Sequence, residues 1–531
     1  MRVTRRDLLA GGAALAGLGV VATGDMAAAK TTRLPRYVRH DVASPEGQRM
    51  LQGYAKAVAT MLEKPATDPH NWFRNAFVHY MDCPHGNWWF FVWHRGYLGY
   101  VEQTIRKYSG MDDFAFPYWD WSHQPFLPPG MFNGVLTPVA DAYAKYARDL
   151  DTFTAFIKPT MQSYFNGLNA SQKVQQNLRG NTDFGKLWDG VAGTNGVDIG
   201  DRAFAETARA RYCTAAKPDL SPAIKGYCSP AEIAKDLAPV LFNADNENTS
   251  FTSSKTDSHN AMPRQGVTFF SLLERWPHNN VHNFIGGVGN WPGDGPFGNM
   301  TNNLSPVDPI FFLHHANMDR LWWLWEDKQR AQGGETLPKD PKTLAEFKND
   351  QFLFFWTAEG KPVLNATAGD FIDPARFDYR YGSPVGTELT TQVAALAQEK
   401  PAPRKRLLAT APNNAAVESL SDWSIGLAAG PLQAVITFTR PMTGAVRSYS
   451  VLLNAPDDVK TAGPDNPYFT GSIDFFGGPM AGMPHQYRFS VTLKPELVAK
   501  AGGHLDLRLV PGPSWPNAPA PAIEDLQIRG G

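Results

Sequence analysis

The segment Trp276-Pro277-His278-Asn279-Asn280-Val281-His282 carries two histidines four positions apart. On a helix, residues with this spacing lie on one face, so both imidazoles project toward one point. A histidine doublet follows further along the chain, in Phe312-Leu313-His314-His315. The neighbours are Trp, Phe, Val and Leu, among which a charged imidazolium would be costly while a neutral, metal-bound ring would not. These segments therefore predict a buried metal site.

A second histidine cluster lies upstream. It comprises His79, the segment Cys83-Pro84-His85-Gly86 and the segment Phe91-Val92-Trp93-His94-Arg95. Two clusters that each offer three imidazoles indicate a pair of three-nitrogen sites. Imidazole suits copper, zinc, iron and nickel, but the sequence has neither the His-Glu-x-x-His motif of zinc hydrolases nor the paired Glu-x-x-His motifs of di-iron bundles. An all-histidine dinuclear site favours copper.

The alternative for any single histidine is a structural one, a core residue with its hydrogen bonds satisfied. The remaining histidines fit that interpretation: His123, His259, His485 and His504 stand in loops or on strands without partners. His314 points about 100° away from its neighbour on the same helix, so the doublet cannot easily place both rings on one ion.

Composition limits the class of protein. The chain has 531 residues, which at roughly 100–200 residues per domain predicts two or three domains. Lys and Arg total 50 against 51 Asp and Glu, so the net charge of −1 gives no reason to expect a nucleic acid or a cationic partner. Aromatic residues reach 12% while charged residues are 19%. This balance is typical of a well-packed globular protein and excludes a disordered or coiled-coil chain.

Residues 1–29 have the features of a twin-arginine signal peptide. Thr4-Arg5-Arg6-Asp7-Leu8-Leu9 leads into an apolar stretch that ends at Val21, and Ala27-Ala28-Ala29 offers a cleavage site. The alternative, a membrane anchor, is disfavoured because the stretch is shorter than the ~20 apolar residues of a spanning helix. We therefore expect a periplasmic or secreted protein with no membrane span in its mature form. Because this route exports folded proteins, it also points to a metal or redox cofactor.

Three regions follow the signal. Residues 30–383 are predicted to be mainly helical, with one helix opened by Ser44-Pro45 and a second opened by Asp68-Pro69. Residues 384–418 include a Pro-interrupted basic run and have the composition of a solvated linker. From 419 to 531 apolar and polar residues alternate in several short stretches, which predicts an all-β sandwich.

Two longer segments resemble the copper signatures of one family. The first is His85-Gly86-Asn87-Trp88-Trp89-Phe90-Phe91-Val92-Trp93-His94-Arg95, and the second is Asp308-Pro309-Ile310-Phe311-Phe312-Leu313-His314-His315-Ala316-Asn317-Met318-Asp319-Arg320. With them, residues 40–383 resemble the tyrosinase, catechol oxidase and haemocyanin family of type-3 copper proteins. The resemblance implies a mainly α catalytic domain built on a four-helix bundle that holds a dicopper site, followed by a shielding β domain.

The resemblance also implies the ligands of the two copper ions. The first ion would be bound by His79, His85 and His94, and the second by His278, His282 and His315. Only five residues separate His79 from His85, fewer than in many family members, which leaves His70 as the alternative first ligand. His79 is preferred because Phe77-Val78-His79 resembles the family's helix-borne ligand.

The three cysteines have alternative interpretations. Cys83 and His85 resemble the Cys-x-His unit that forms a thioether crosslink in fungal tyrosinases and molluscan haemocyanins. The alternative for Cys83 is a small buried hydrophobic residue. Cys213 and Cys228 then remain as a pair, for which a disulfide and two free thiols are both open.

The activity that the resemblance implies is the oxidation of small phenols by O2, with ortho-hydroxylation of monophenols and oxidation of o-diphenols to o-quinones. Glu274 and Asn279 resemble the family pair that holds a water to accept the phenol proton; their alternatives are a solvated carboxylate and a turn residue. The other functions in view are a catechol oxidase or o-aminophenol oxidase without monophenolase activity, and a haemocyanin-like oxygen carrier. The sequence leaves the oligomeric state open.

In related proenzymes the C-terminal domain inserts an apolar side chain over the coppers. Phe475 and Phe476 are the candidates here, although an ordinary strand edge has the same spacing. Cleavage near Arg404–Arg406 is then expected to raise activity on bulky phenols.

Overall fold

The structure is a computed structural model that describes residues 33–197, 199–245, 249–261, 268–288, 295–398, 408–410, 418–420, 432–440, 446–463, 465–477, 486–500, 505–513, 515 and 518–530. The signal expected at residues 1–29 and the basic run at 400–406 lie outside the described residues. From residue 36 onward, the described residues form one compact unit.

Helices dominate the chain before residue 399. They are α1 (Pro45–Leu62), α2 (Trp72–Asp82), α3 (Phe90–Ser109), α4 (Asp141–Ala147), α5 (Leu150–Asn166), α6 (Ala170–Leu178), α7 (Phe184–Ala192), α8 (Pro222–Tyr227), α9 (Pro230–Asp236), α10 (Asn279–Ile285), α11 (Ile310–Gln332), α12 (Pro341–Asn349) and α13 (Glu388–Gln398), with α14 (Pro495–Lys500) in the C-terminal region. A π-helical turn, Glu274–His278, leads directly into α10.

The first four strands belong to the helical region and the rest to the C-terminal region. They are β1 (Tyr37–Arg39), β2 (Gln351–Phe352), β3 (Ala366–Thr367), β4 (Tyr379–Tyr381), β5 (Leu408–Thr410), β6 (Glu418–Leu420), β7 (Leu432–Thr439), β8 (Ser448–Leu453), β9 (Phe469–Asp474), β10 (Gln486–Thr492), β11 (Leu505–Pro511) and β12 (Ala522–Gly530). β1 pairs with β4 in parallel, and β2 pairs with β3 antiparallel.

Capping residues decide where the first helices begin. Ser44 caps α1 by accepting a hydrogen bond from the Gly47 N–H, with Pro45 in the first turn, as predicted. The helix that we predicted to open at Asp68-Pro69 begins at Trp72 instead. The reason is that the Asn71 side chain caps it by accepting from the Arg74 N–H, so the predicted start was wrong by one turn.

A buried ionic cluster ties α3 to α11. Asp319 of α11 accepts from Arg95 Nε of α3 at 2.6 Å and from Arg39 Nη1 of β1 at 2.9 Å. Tyr379 and Tyr381 of β4 donate their hydroxyls to the same carboxylate. Because both oxygens of Asp319 receive donors in a buried setting, the cluster fixes the relative position of the two helices.

The C-terminal region contains two four-stranded sheets, in the orders β10-β7-β12-β5 and β6-β11-β8-β9. Side chains from both sheets share one apolar core, which includes Ile436, Val451 and Phe489. A sheet region is therefore present where the alternation predicted one, with the short helix α14 as an addition.

The stretch predicted to be a linker, 384–418, contains α13. Leu389 and Val393 of this helix are buried in the core of the helical region, and Gln332 of α11 donates to the Leu396 carbonyl at 2.7 Å. The predicted solvated linker is therefore wrong for α13, because its apolar face packs against α11. None of the helices that the structure describes has both the length and the hydropathy needed to cross a bilayer.

Candidate metal centre

The histidines of the two sequence clusters lie on five helical segments and one loop. α2 carries His79 and α3 carries His94, while His85 lies in the loop between them. The π-helical turn and α10 carry His278 and His282, and α11 carries the doublet. All of these side chains are buried except that of His85, which is partly exposed.

The upstream group consists of His79, Cys83, His85 and His94, whose donor atoms all lie within 4.8 Å of one another. The three imidazole centroids are 5.4, 5.7 and 5.9 Å apart. His70, the alternative to His79, is not in this group. Its Nδ1 is 2.9 Å from the Tyr108 hydroxyl and its Nε2 is 2.8 Å from the Thr357 carbonyl, so both ring nitrogens are engaged elsewhere.

The downstream group consists of His278, His282, His314 and His315, again with donor atoms within 4.8 Å of one another. The Nε2 atoms of His282 and His315 are 3.1 Å apart. Two nitrogens that bind the same metal ion, each at about 2 Å, are separated by about this distance when they occupy neighbouring coordination positions.

His314, set aside in the sequence analysis, lies within the downstream group. Its Nδ1 is 3.1 Å from the indole Nε1–H of Trp121 and must accept that hydrogen. A neutral histidine whose Nδ1 accepts carries its own hydrogen on Nε2, which then has no lone pair for a metal. The indole contact therefore disfavours His314 as a ligand, for a reason that the sequence did not show.

Carbonyl oxygens fix the orientation of three rings. Nδ1 is 2.7 Å from the Asn303 carbonyl in His79, from the Phe90 carbonyl in His94 and from the Met300 carbonyl in His282. A carbonyl only accepts, so each Nδ1 carries the hydrogen and each Nε2 keeps a lone pair. The chain thus presents unprotonated Nε2 atoms to the centre.

Some of the inward nitrogens lack protein partners. Among the described residues, the Nε2 atoms of His79, His278 and His314 are buried and have no hydrogen-bond partner, whereas His94 Nε2 is 3.4 Å from Cys83 Sγ. Burial lowers the pKa of His79 and of His278 to about 3, and it lowers the pKa of the other grouped histidines well below the usual value. Neutral, unpartnered imidazoles are what a soft divalent or monovalent metal ion requires.

The two groups adjoin one another. The rings of His94 and His315 are stacked with their centroids 4.1 Å apart at an interplanar angle of 7°. His85 and His278 lie 5.9 Å apart on another side. Two adjacent histidine-rich groups of this kind fit a dinuclear copper site.

A phenylalanine from the C-terminal region lies between the groups. The Phe476 ring is 4.5 Å from His85, 4.6 Å from His282 and 5.8 Å from His278, measured between centroids. Phe475 points the other way, into the core between the sheets, where it is 4.8 Å from Tyr487. The two candidates of the sequence analysis are therefore in different environments, and only the Phe476 ring contacts the histidines.

Glu274 lies beside the loop that carries His85. Its carboxylate accepts from the Gly86 N–H at 2.7 Å and from the Ser253 hydroxyl. Burial raises the pKa of Glu274 to about 8, although both hydrogen bonds act in the opposite direction. The carboxyl group is fully buried, so the interpretation of Glu274 as a solvated helix carboxylate is wrong.

Asn279 contacts both a grouped histidine and the C-terminal region. Its Oδ1 is 2.9 Å from His278 Nδ1, and its Nδ2 donates to the Asp474 carbonyl at 3.1 Å. Asn279 begins α10 and is buried, so it is not an exposed turn residue.

The cysteines differ in their surroundings. Cys83 Sγ is 3.7 Å from each of the two ring nitrogens of His85. The sulfur is therefore equidistant from the nitrogens that flank the ring carbon Cε1. Cys213 and Cys228 are free, buried thiols in the structure, so the disulfide alternative is not present there. Burial raises the pKa of Cys213 to about 12 and raises the pKa of Cys228 well above its ordinary value, which keeps both thiols protonated.

His259 has two acidic partners, contrary to the sequence analysis. Its Nε2 is 2.8 Å from Asp82, and its Nδ1 contacts Asp350. Asp82 also accepts from Trp93 Nε1 at 2.8 Å. Burial would lower the pKa of His259, but the two carboxylates outweigh it and raise the pKa to about 9. The ring is therefore a buried cation that joins Asp82, at the end of α2, to Asp350, at the end of α12.

Comparisons with known proteins agree with this centre. The model of the common central domain of tyrosinase matches residues 63–328. A chloroplastic polyphenol oxidase of Spinacia oleracea is 26% identical over 358 residues, covering 63% of this chain and 45% of the relative. A tyrosinase of a Hahella species is 25% identical over 346 residues, covering 59% of this chain and 56% of the relative. The chain spans about half the length of the curated relatives it matches.

Solved structures extend the likeness in fold to most of the chain. A latent aurone synthase, itself a polyphenol oxidase, has a TM-score of 0.53 at 17% identity and covers 94% of this chain and 90% of its own. A tyrosinase from Burkholderia thailandensis has a TM-score of 0.51 at 16% identity, covering 92% of this chain and all of its own. At these identities the likeness concerns the fold alone.

Proposed function

Because the chain belongs to the tyrosinase family of type-3 copper proteins, we propose that it oxidises small phenols with O2. The observation that carries this proposal is the convergence of two groups of neutral histidines, all of them buried except the partly exposed His85. Bound at these nitrogens, two copper ions would supply the O2 binding and electron transfer that the reaction needs. Two o-diphenols and one O2 give two o-quinones and two waters, so that atoms and electrons balance.

We propose His79, His85 and His94 as the ligands of one ion and His278, His282 and His315 as the ligands of the other. α2, α3, α10 and α11 would then form the four-helix bundle around the pair. The choice of His315 over His314 is supported by its 3.1 Å approach to His282 and by the indole hydrogen bond to His314. Cys83 would be joined to His85 by a thioether that replaces the thiol S–H bond and a ring C–H bond, and O2, the oxidant of the proposed reaction, would take up the two hydrogens as hydrogen peroxide. Three nitrogens would remain in the upstream group.

The chain itself orients the rings and keeps water away. Carbonyl acceptors hold the rings of His79, His94 and His282, so little reorganisation is needed when metal binds. Aromatic side chains surround the centre: Phe90 is 4.6 Å from His94, and Phe311 is 4.2 Å from His315. An apolar wall of this kind favours entry of a phenol ring and excludes solvent.

Hydroxylation of a monophenol requires a group that accepts the phenol proton. We propose that Glu274 and Asn279 hold a water for this purpose. The proposal is supported by their positions: the Glu274 carboxylate is fixed beside the His85 loop, and the Asn279 amide touches His278. The two alternatives, a catechol oxidase and an o-aminophenol oxidase, would use the same histidines without this water.

The main experiment measures copper and activity on one preparation. We expect two copper ions per chain, an intense near-ultraviolet band after addition of hydrogen peroxide, and O2 consumption with catechol and with a monophenol. Glu274→Gln, which keeps the size of the side chain, should slow the monophenol reaction while catechol oxidation continues. Turnover of catechol or o-aminophenol alone would refute the monophenolase proposal. Reversible O2 binding without turnover would indicate an oxygen carrier instead.

We propose that residues 419–531 shield the site in a latent form. The plug segment, Asp474–Gly477, supports this proposal, because its Phe476 ring lies among the histidines. The helical region forms hydrogen bonds with the backbone of this segment. Asn283 Nδ2 donates to the Phe475 carbonyl at 2.8 Å, and the Gly477 N–H donates to the Thr301 carbonyl at 3.2 Å. Cleavage near Arg404–Arg406 should raise activity on bulky phenols, and clean cleavage without a gain would refute the shield.

The export route remains a proposal of the same kind. Residues 1–29 would direct the folded protein through the twin-arginine route to the periplasm or the medium. Replacing Arg5 and Arg6 by lysine should leave the protein in the cytoplasm. Unchanged export of that variant would refute the route while leaving the proposed chemistry untouched.

A further inference from the structure

A cleft of about 940 Å³ lies between the helical region and the C-terminal sheets. Its walls come from α8, α9, the π-helical turn and α13 on one side, and from β7, β9 and β10 on the other. None of the grouped histidines is among the described residues that line it, and the proposed oxidation chemistry does not use it. The volume falls within the range of roughly 300–1,000 Å³ that small-molecule sites occupy.

The charged side chains that line the cleft are mostly cationic. Arg275 is buried on the π-helical turn, Lys235 lies on α9, and Lys494 follows β10 on the other wall. The acidic residues in the described lining are Glu232, which is 2.8 Å from Lys235, and Asp236. Burial raises the pKa of the Asp236 carboxyl well above its ordinary value, although the nearby cations act in the opposite direction. The lining therefore carries an excess of positive charge.

Two polar groups without protein partners line the same cleft. Asp236, the last residue of α9, is only 2% exposed, and Trp276 of the π-helical turn is 9% exposed. Among the described residues, both carboxyl oxygens of Asp236 and the indole Nε1 of Trp276 are buried without a hydrogen-bond partner. Most buried polar groups are hydrogen-bonded, so two such groups at one cleft indicate that a ligand supplies their partners. An indole N–H only donates, and a protonated carboxyl group also has a hydrogen to donate, so this ligand must accept hydrogen bonds.

The remaining wall suits an anion that has an apolar body. The Arg275 guanidinium lies 4.2 Å from the centre of the Trp276 ring, and that ring is stacked with Tyr227 at 5.7 Å. Arginine commonly combines stacking on an aromatic ring with paired hydrogen bonds to a carboxylate. Leu272 and Leu396 add apolar surface to the same cleft. An organic cation does not fit, because a cation already lies on the aromatic ring.

We propose that this cleft binds a small organic carboxylate, with the anionic group at Arg275 and Lys494 and the apolar body against the leucines of the wall. The Trp276 N–H and the protonated Asp236 carboxyl group donate hydrogen bonds that the carboxylate accepts. Organic cations bind poorly because the lining repels them, and neutral analogues bind poorly because they lack the charge that the lining attracts.

Calorimetry on the full-length, copper-loaded protein tests the site. The probe is 3-phenylpropionate, which has no phenol group to be oxidised, and the matched analogues are 3-phenylpropanamide and 3-phenylpropylamine. We expect saturable binding of the carboxylate, and binding of the neutral amide and of the amine that is weaker by about tenfold or more. Because the readout is binding, a negative result leaves the proposed oxidation of phenols standing.

Four variants assign the binding to the cleft. Arg275→Gln should weaken carboxylate binding about 10- to 100-fold, as expected for loss of a buried charge-assisted hydrogen bond. Lys494→Gln should weaken it about 3- to 10-fold, because this side chain is only half-buried. Asp236→Asn should preserve binding, because the amide keeps a hydrogen-bond donor. Lys500→Gln is the control, since it removes the same charge from an exposed lysine of α14 outside the described lining.

Thermal melting of each variant checks that it folds, and if Arg275→Gln does not, Lys494→Gln compared with Lys500→Gln decides. The site is overturned if 3-phenylpropionate does not bind, if the amine binds as tightly, or if Lys500→Gln weakens binding as much as Lys494→Gln. Binding that both cleft variants leave unchanged and that competes with catechol would assign the carboxylate to the metal centre and also overturn the site. Loss of binding in Asp236→Asn would overturn donation by the carboxyl group.

Discussion

Replacing Phe476 with alanine should activate the full-length protein without any cut in the chain. The ring is 8% exposed and lies among the imidazoles of both groups. Returning a buried phenylalanine side chain to water costs about 2 kcal/mol. If that burial holds the plug in place, its loss shifts the ratio of closed to open molecules by about 30-fold, since each 1.4 kcal/mol is a factor of ten.

The assay is kcat/KM for catechol, measured on full-length protein with two copper ions bound. We expect an increase of about 30-fold for Phe476→Ala, with a larger gain for phenols that carry bulky substituents, because the variant also vacates the volume of a ring. Copper content must equal that of the unaltered protein, so that the comparison reports access to the site and not its occupancy.

Phe469→Ala is the matched control. Phe469 lies on the same strand, β9, and is buried, but it packs in a separate apolar cluster with Leu452 and Val510. Loosening of the strand alone would make both variants more active. The reasoning is refuted if Phe476→Ala has the unaltered kcat/KM, or if Phe469→Ala gains as much activity.

Three further predictions concern single residues. His315→Asn should lose one copper ion per chain, whereas His314→Asn should keep both; equal metal counts would contradict the assignment based on the indole hydrogen bond. The pKa of His259 is raised to about 9 in the folded state, so protonation of this ring stabilises the fold. The stabilisation is complete below the ordinary histidine pKa near 6.5 and is lost as the pH rises through 9. The loss corresponds to about 3 kcal/mol. The free energy of unfolding measured in urea should therefore fall between neutral pH and about pH 10, and it should fall less in His259→Gln. The same pH dependence in both proteins would contradict this prediction. Peptide mass analysis of the copper-loaded protein should show the Cys83 peptide lighter by two hydrogens, and an unmodified peptide would exclude the thioether.

The sequence predicted most of the candidate centre, because its information is local. His278 and His282 lie four positions apart on one helical face, and the doublet follows a helix start that the sequence marks. Short-range spacing therefore brings out each cluster separately. That the clusters also meet, with the rings of His94 and His315 stacked at 4.1 Å, does not follow from the spacing within either cluster; it was inferred from the number of histidines and from the family resemblance.

What the sequence could not predict depends on residues far apart in the chain. The partners of His259, Asp82 and Asp350, are 177 and 91 positions away. The indole that determines the hydrogen position on His314 is 193 positions away. No periodicity carries such pairings, so the sequence missed the acidic partners of His259 and could not show the indole contact that disfavours His314 as a ligand.

The plug shows the same limit in another form. Phe475 and Phe476 are adjacent in a strand-like segment, and alternation establishes only that they face opposite ways. Which of the two faces the histidines depends on how the sheets dock on α10. The helix in the predicted linker was missed because Leu389 and Val393 gain their burial only against α11.

Helix α10 and the turn before it contact the metal groups on one face and the C-terminal region on the other. One carries His278 and His282 toward the metal groups, and the other carries asparagine amides that hold the backbone around Asp474 and Phe475. Thermodynamic linkage then requires reciprocity: whatever free energy the docked sheet contributes to metal retention, bound metal returns to docking of the sheet. Removal of the metal by a chelator should consequently lower the temperature at which the C-terminal sheets dissociate from the helical region. Helix α10 would thus couple metal binding to docking of the sheets.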